Sequence, residues 1–171
     1  MRKMHLFLHL LSIETTILLT KVRNETLSYF SQFYNRIMSL APAPLNLIEK
    51  LGIKEDNYII VVNQPDNYFG LINDLPDGVK FVQVEDNLRV DFIHVFARNQ
   101  YELIHELFAC KPLLKSDGKI WIFYPKKSSR VKTDLDVNTI INFGNDIHLK
   151  NIQLTDFDSV WTGVEFKIPN D

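Results

Sequence analysis

Six glycines, one cysteine and a net charge of -2 leave this 171-residue chain short of three things that common functional classes need. The single cysteine, Cys110, has no partner for an internal disulfide and lies in an apolar stretch, where a small buried thiol is the ordinary outcome. A reducing cytoplasm is the expected setting. A pI near 6.2 provides no global cationic field to gather nucleic acid or anionic lipid, so any anion site must be local. Metal-ligand spacing is missing as well. His105-Glu106 begins an HExxH pattern, but Ala109 stands where the second histidine would share the helix face. His94 and His148 have no spaced Cys or His partner and read as structural. Ser128 and Ser129 lack the strand-to-helix elbow of GxSxG, so serine hydrolase chemistry is unsupported and no catalytic residue is assigned.

A clean membrane or secretion signal is also missing. The stretch MRKMHLFLHLLSIETTILLTKVR has a basic start and an apolar run, but His5, His9 and Glu14 interrupt it and no small-x-small cleavage site follows. As a transmembrane helix it would carry Glu14 near its centre at a cost of about 2.5–3.5 kcal/mol. Residues 1–37 are therefore read as an N-terminal extension upstream of a start at Met38, and residues 38–171 as one domain. Neither a membrane nor nucleic acid is expected as a partner.

What is present is a 46% hydrophobic chain, enough for one real core. Ala41-Pro42-Ala43-Pro44 is an extended lead-in. Leu45 to Leu51 forms a short amphipathic helix closed by Gly52. Tyr58 to Val62 is apolar on both faces, as an inner parallel strand must be. Tyr68, Phe69, Leu71 and Ile72 form a helical turn. Pro76-Asp77-Gly78 then turns into a second strand, Val79 to Val84, and a third runs from Asp91 to Phe96. Asn99 with Glu102 caps a helix whose apolar positions are Tyr101, Ile104, Leu107 and Phe108. Lys119 to Tyr124 is the fourth strand. After a basic loop, Thr133 with Asp136 reads as a capping box opening a helix through Ile140, Ile141 and Phe143. Ile147 to Thr155 and Trp161 to Ile168 close the chain, and the short turn between them permits antiparallel pairing.

Repeated strand-helix units ending in an antiparallel pair are the layout of an α/β, single-domain, mostly parallel sheet sandwich. It resembles the class I S-adenosylmethionine-dependent methyltransferase fold. LGIK at 51–54, LPDGV at 75–79, LLKSDGKIWIFYPKK at 113–127, TDL at 133–135 and WTGVEF at 161–166 are similar to an uncharacterised bacterial domain family with that Rossmann-like fold. The likeness covers roughly 44–167, and the pairing of PKK with TDL is its most specific part. The family brings no established activity. The insert Ser129-Arg130-Val131-Lys132 is more basic than the family pattern.

In such sheets ligands bind beyond the carboxyl ends of the parallel strands. The first of these loops, Asn63-Gln64-Pro65-Asp66-Asn67, holds no glycine before Gly70, and Pro65 removes a donor, so close backbone approach to a cofactor is lost. No cofactor is expected. The alternative is S-adenosylmethionine held by Asn63, Asp66 and Glu85, the last standing past the second strand where ribose hydroxyls are bonded in this fold class. A solvated acidic turn is the simpler reading of Glu85, and capping or solvation the simpler one for Asp66 and Asp91. Lys126, Lys127, Arg130 and Lys132 form the only dense basic stretch, and Lys126, Lys127 and Arg130 with the helix start at Thr133 make a phosphate or carboxylate site. A solvated mobile loop is the competing reading. Three functions follow: a non-catalytic methyltransferase-like domain that binds a small anion or a protein partner, a divergent methyltransferase, or an interaction protein without a small ligand.

Overall fold

The computed structural model describes residues 46–169 and, before them, Thr26, Ser28, Tyr29, 31–33 and Arg36. Two compact units divide the chain, Met1–Pro44 and Leu45–Asp171. In the first, the described residues are helical, Tyr29 and Phe33 are exposed, and the Gln32 amide donates to the Ser28 hydroxyl at 3.4 Å. The expected extension over 1–37 otherwise lies outside the described residues. No helix among the described residues is long and apolar enough to cross a membrane.

The second unit opens with helix α1, Leu47–Leu51, for which Asn46 and Glu49 build a reciprocal capping box and Gly52 (φ 76°) a left-handed end. Then come β1 (Tyr58–Val62), α2 (Tyr68–Leu71), β2 (Lys80–Phe81), β3 (Val90–Phe96), α3 (Gln100–Cys110), β4 (Leu114–Pro125), α4 (Val137–Asp146), β5 (Lys150–Asp156) and β6 (Trp161–Lys167). The sheet order is β2-β1-β3-β4-β6-β5. β1 to β4 are parallel neighbours, and β6 inserts antiparallel between β4 and β5. This is the expected mixed sheet.

Three expectations need correction. The second strand shrinks from Val79–Val84 to two residues. Gln83 takes an Asp86 side-chain bond on its N–H and bends the chain into a 3-10 turn, Val84–Asp86. On α3 the buried residues are Leu103, Leu107 and Cys110, while Tyr101, Ile104 and Phe108 face outward, because the helix is rotated from the stripe read off its aromatics. The box at Thr133 and Asp136 does not form. Thr133 accepts from the Leu135 N–H, and Asp136 alone caps α4 by accepting from Thr139 at 2.8 Å.

Alternation along the strands sorts the core into two layers. Ile60, Ile93, Val95, Ile120, Ile122, Val164 and Phe166 pack under α3 and α4. The opposite face is aromatic, with Tyr68, Phe92, Phe96, Trp121, Phe123, Phe157 and Trp161. Cys110 is buried, and its thiol is pushed up to about 11 by burial and then by Glu106 and Glu85. Glu165 is fully buried on the aromatic face. Lys119 Nζ lies 2.7 Å from its Oε1, off the hydrogen-bonding direction, so the pair is ionic and neither carboxylate oxygen accepts an aligned bond.

His94, also fully buried, shares a 2.7 Å hydrogen bond through Nδ1 with the Tyr68 hydroxyl and so ties α2 to the central strand. Burial pushes the imidazole down to about 3 from its ordinary value near 6.5. The folded ring therefore refuses a proton that the unfolded chain accepts. Its contribution is complete above pH 6.5 and is lost as pH falls towards 3, with a slope near 1.4 kcal/mol per pH unit. Urea unfolding between pH 6 and 5, above the carboxylate range, should show this slope in the wild type and a flatter one in His94→Gln. Equal slopes would contradict it.

Gly144 sits in the last turn of α4 against Phe166, and a Cβ there would fall 2.2 Å from the buried ring. Helix propensity favours alanine by about 1 kcal/mol, whereas overpacking a filled core costs about 1–3 kcal/mol or more. Gly144→Ala should therefore lower the urea midpoint; a raised midpoint would show that Phe166 yields.

Candidate functional site

The carboxyl ends of β1 to β4 bring together three loops and the start of α4. After β1, Asn63 turns the chain in the left-handed region at φ 56°, a conformation that asparagine tolerates better than most side chains. Its amide donates to Glu106 Oε1 on α3 at 3.2 Å. The Tyr68 N–H donates to the Pro65 carbonyl at 2.9 Å, and the Asn67 amide to Asp158 Oδ2 at 3.2 Å. The turn without glycine is thus fastened at both ends by side chains. Asp66 lies within it, exposed.

Glu85 is exposed on the 3-10 turn after β2. Asn99 caps α3 by accepting from Glu102, and Glu102 returns a bond to the Arg98 N–H at 2.7 Å. Asp91 lies at the opposite end of the sheet, where it accepts from the Tyr58 N–H and pairs with Lys115. His148 is exposed in a left-handed turn (φ 58°) and not part of the core. No group of three or more His, Cys, Asp or Glu among the described residues is placed to hold a metal.

At the end of β4, Lys126 Nζ donates to the Asp158 carbonyl at 2.7 Å and pairs with Asp156 Oδ2 at 3.0 Å. This bond and its charge hold the Asp156 carboxyl below the usual range, against a smaller opposing effect of burial. The Lys126 N–H donates to the Val160 carbonyl at 2.8 Å. Lys126 therefore fastens the β5–β6 turn, where Asp158 Oδ1 accepts the Val160 and Trp161 N–H groups.

Lys127 is exposed, and beside it a cleft of about 280 Å3 is bounded by Lys126, Tyr124, Leu135, Thr162 and the first turn of α4. Tyr124 and Thr162 meet there because β4 and β6 pair them directly. Burial and the neighbouring Asp136 and Asp156 carboxylates push the Tyr124 hydroxyl up, so it stays a donor. The Asp136 carboxyl is held down by the hydrogen bonds it accepts from Thr139 and by Lys127. Arg130, left-handed at φ 60°, and Thr133 lie outside this lining. Of the expected basic group, Lys126 and Lys127 come together at the cleft. Tyr124, Asp136, Asn138 and Thr162 join them unannounced, since only strand register and the true helix start bring them there.

No protein-family model matches the chain, and no curated protein sequence matches it. Solved structures do. A possible exported protein from Bordetella parapertussis matches 72% of this chain and 65% of its own at 8% identity and a TM-score of 0.51. A DhpI–SAH complex matches 82% of this chain and 90% of its own at 12% identity and 0.50. A SAM-dependent methyltransferase from Aquifex aeolicus matches 70% and 86% at 16% identity and 0.47. At such identities the likeness concerns the fold alone: the Leu45–Asp171 unit is an α/β, methyltransferase-like Rossmann domain with an antiparallel strand inserted near one edge.

Proposed function

We propose that the Leu45–Asp171 unit is a non-catalytic methyltransferase-like domain that holds a small anionic ligand in the cleft at the carboxyl end of β4. The observation that carries this reading is the contrast between two halves of one edge. The loop after β1 has neither glycine nor slack, since Asn63 and Asn67 are bonded to Glu106 and Asp158. The β4 end has a cleft with two lysines, the Tyr124 hydroxyl and the start of α4. Charge-assisted bonds from an ammonium and a helix start suit a carboxylate, sulfate or phosphate. Asp136 already occupies part of that helix start, so the ammonium is the larger part of the attraction. Lys127 is the principal donor, because Lys126 is committed to Asp156 and Asp158; Arg130 and Thr133 are the outer part of the basic group.

Divergent methyltransferase activity is the second reading, with S-adenosylmethionine on Asn63, Asp66 and Glu85. The exposure of all three supports it, as does the fold that the chain shares with the DhpI–SAH complex.

Thermal unfolding separates the two. Sulfate should raise the melting temperature of the wild type more than that of Lys127→Ala, by linkage of binding to folding. The variant controls for salt exclusion, which stabilises both alike. S-adenosylmethionine should shift neither. Equal sulfate shifts would remove the anion site, and micromolar S-adenosylmethionine binding abolished by Glu85→Ala would establish the second reading instead.

A further inference from the structure

A second cavity, of about 410 Å3, lies at the other end of the sheet, where the last turns of α3 and α4 stand over the starts of β3 and β4. Leu107 and Phe108 from α3, Leu114 from β4, Phe143 from α4 and Ile147 just past its end make most of its wall. The volume is within the range of small-molecule sites, about 300–1,000 Å3. Phe108 is 69% exposed, an aromatic ring spent on the rim of this space and not on the core.

Two cations, Arg89 and Lys111, share that otherwise apolar lining. Neither has a carboxylate within ion-pair reach among the described residues. Lys111 Nζ donates to the Ile147 carbonyl at 2.5 Å, and Arg89 Nη1 to the carbonyls of Pro112 and Leu114 at 2.5 and 3.2 Å. These bonds fix both heads at the cavity and leave donors over, since a guanidinium has five N–H groups and an ammonium three. Arg89 and Leu114 also line an adjoining polar cleft with Lys115, Ser116 and Asp117, the last of which makes no ion pair with Arg89, so the guanidinium stands between the apolar space and water.

A purely apolar occupant would leave two charges facing hydrocarbon, and a compact polyanion would leave the aromatic and aliphatic wall unused. A hydrocarbon tail with one anionic head meets both requirements. We propose that this cavity binds a long-chain carboxylate, its tail between α3 and α4 and its head on the Arg89 fork, whose geometry matches a carboxylate, with Lys111 adding charge. The site is separate from the β4 cleft and stands or falls independently of it.

The test is calorimetry on the full chain with dodecanoate below its micellar concentration, alongside dodecanol and dodecyltrimethylammonium. One saturable dodecanoate site is expected, with dodecanol at least about tenfold weaker, as loss of a charge-assisted bond implies. Arg89→Gln and Lys111→Gln should each weaken dodecanoate and leave dodecanol unchanged. Should Arg89→Gln misfold, Phe108→Ser, at an exposed ring, should weaken dodecanoate and dodecanol together. Equal binding of acid and alcohol, absence of saturable binding, or binding of the cationic detergent would overturn the proposal. So would self-association in sedimentation that Phe108→Ser abolishes and dodecanoate leaves intact, which would make a second copy of the chain the occupant.

Discussion

The hydrogen bond between Tyr68 and His94, 2.7 Å long and closed off from water, is what the carboxyl end of the sheet depends on. α2 is four residues long, too short to persist by its own hydrogen bonds. Tyr68 anchors it instead. Its hydroxyl reaches His94 on the central strand, and its ring stacks on Phe157 at 5.5 Å and meets Phe96 edge-on at 5.7 Å. A buried hydroxyl without a partner would cost about 1–3 kcal/mol, so the histidine is needed where an apolar residue would otherwise serve. With α2 placed, the loop between β1 and α2 has little freedom, and Asn63 and Asn67 remove what is left. The absence of glycine from that loop is a consequence of the same design. Side chains hold it from both ends, and a backbone made for close approach to a ligand would have nothing to hold it.

The charges at this edge follow from the fastening. Asp158 receives the Asn67 amide on one oxygen, two turn N–H groups on the other and Lys126 on its carbonyl, so the β1 loop, the β4 end and the β5–β6 turn meet at one residue. Lys126 and Asp156 neutralise each other there. What remains for a ligand is decided by subtraction. Lys127 projects past the fastening, and α4 begins beside it, already partly satisfied by the carboxylate of Asp136.

The sheet was legible in the sequence where burial on both faces wrote a mostly apolar run, as in Tyr58–Val62 and Asp91–Phe96, the second broken only by Asp91 and His94. It misled where one local interaction outweighed the pattern. Val79 to Val84 has the valines and aromatic of a strand, but the Gln83–Asp86 bond closes a turn after two paired residues. Thr133 and Asp136 both have capping chemistry, and their spacing cannot say which one caps; Leu135, buried between them, forces the helix to start after it. The aromatic residues of α3 suggested its inner face, yet the layer beneath is aliphatic and takes Leu103 and Leu107. The cleft was legible only in its lysines. Tyr124 and Thr162 are far apart in the chain and meet through strand register, which no local pattern encodes.

Why both cavities lie on the same side of the sheet follows from how the two faces are filled. The aromatic face is packed by large rings close to one another, such as Phe96 on Phe123 at 4.5 Å, with short α1 and α2 over it. The other face is covered by two longer helices with small and aliphatic contacts. α4, ten residues and about 15 Å long, borders the β4 cleft with its first turn and the lower cavity with Phe143 and, just past its end, Ile147. Near the second of these ends Gly144 lets the helix axis approach Phe166 without an intervening Cβ. That close contact sets how near the last turns of α4 stand to the sheet, beside the lower cavity. A side chain at this position would therefore be felt first at the lower cavity, whereas the first turn, fixed by Asp136, would keep its place at the β4 cleft.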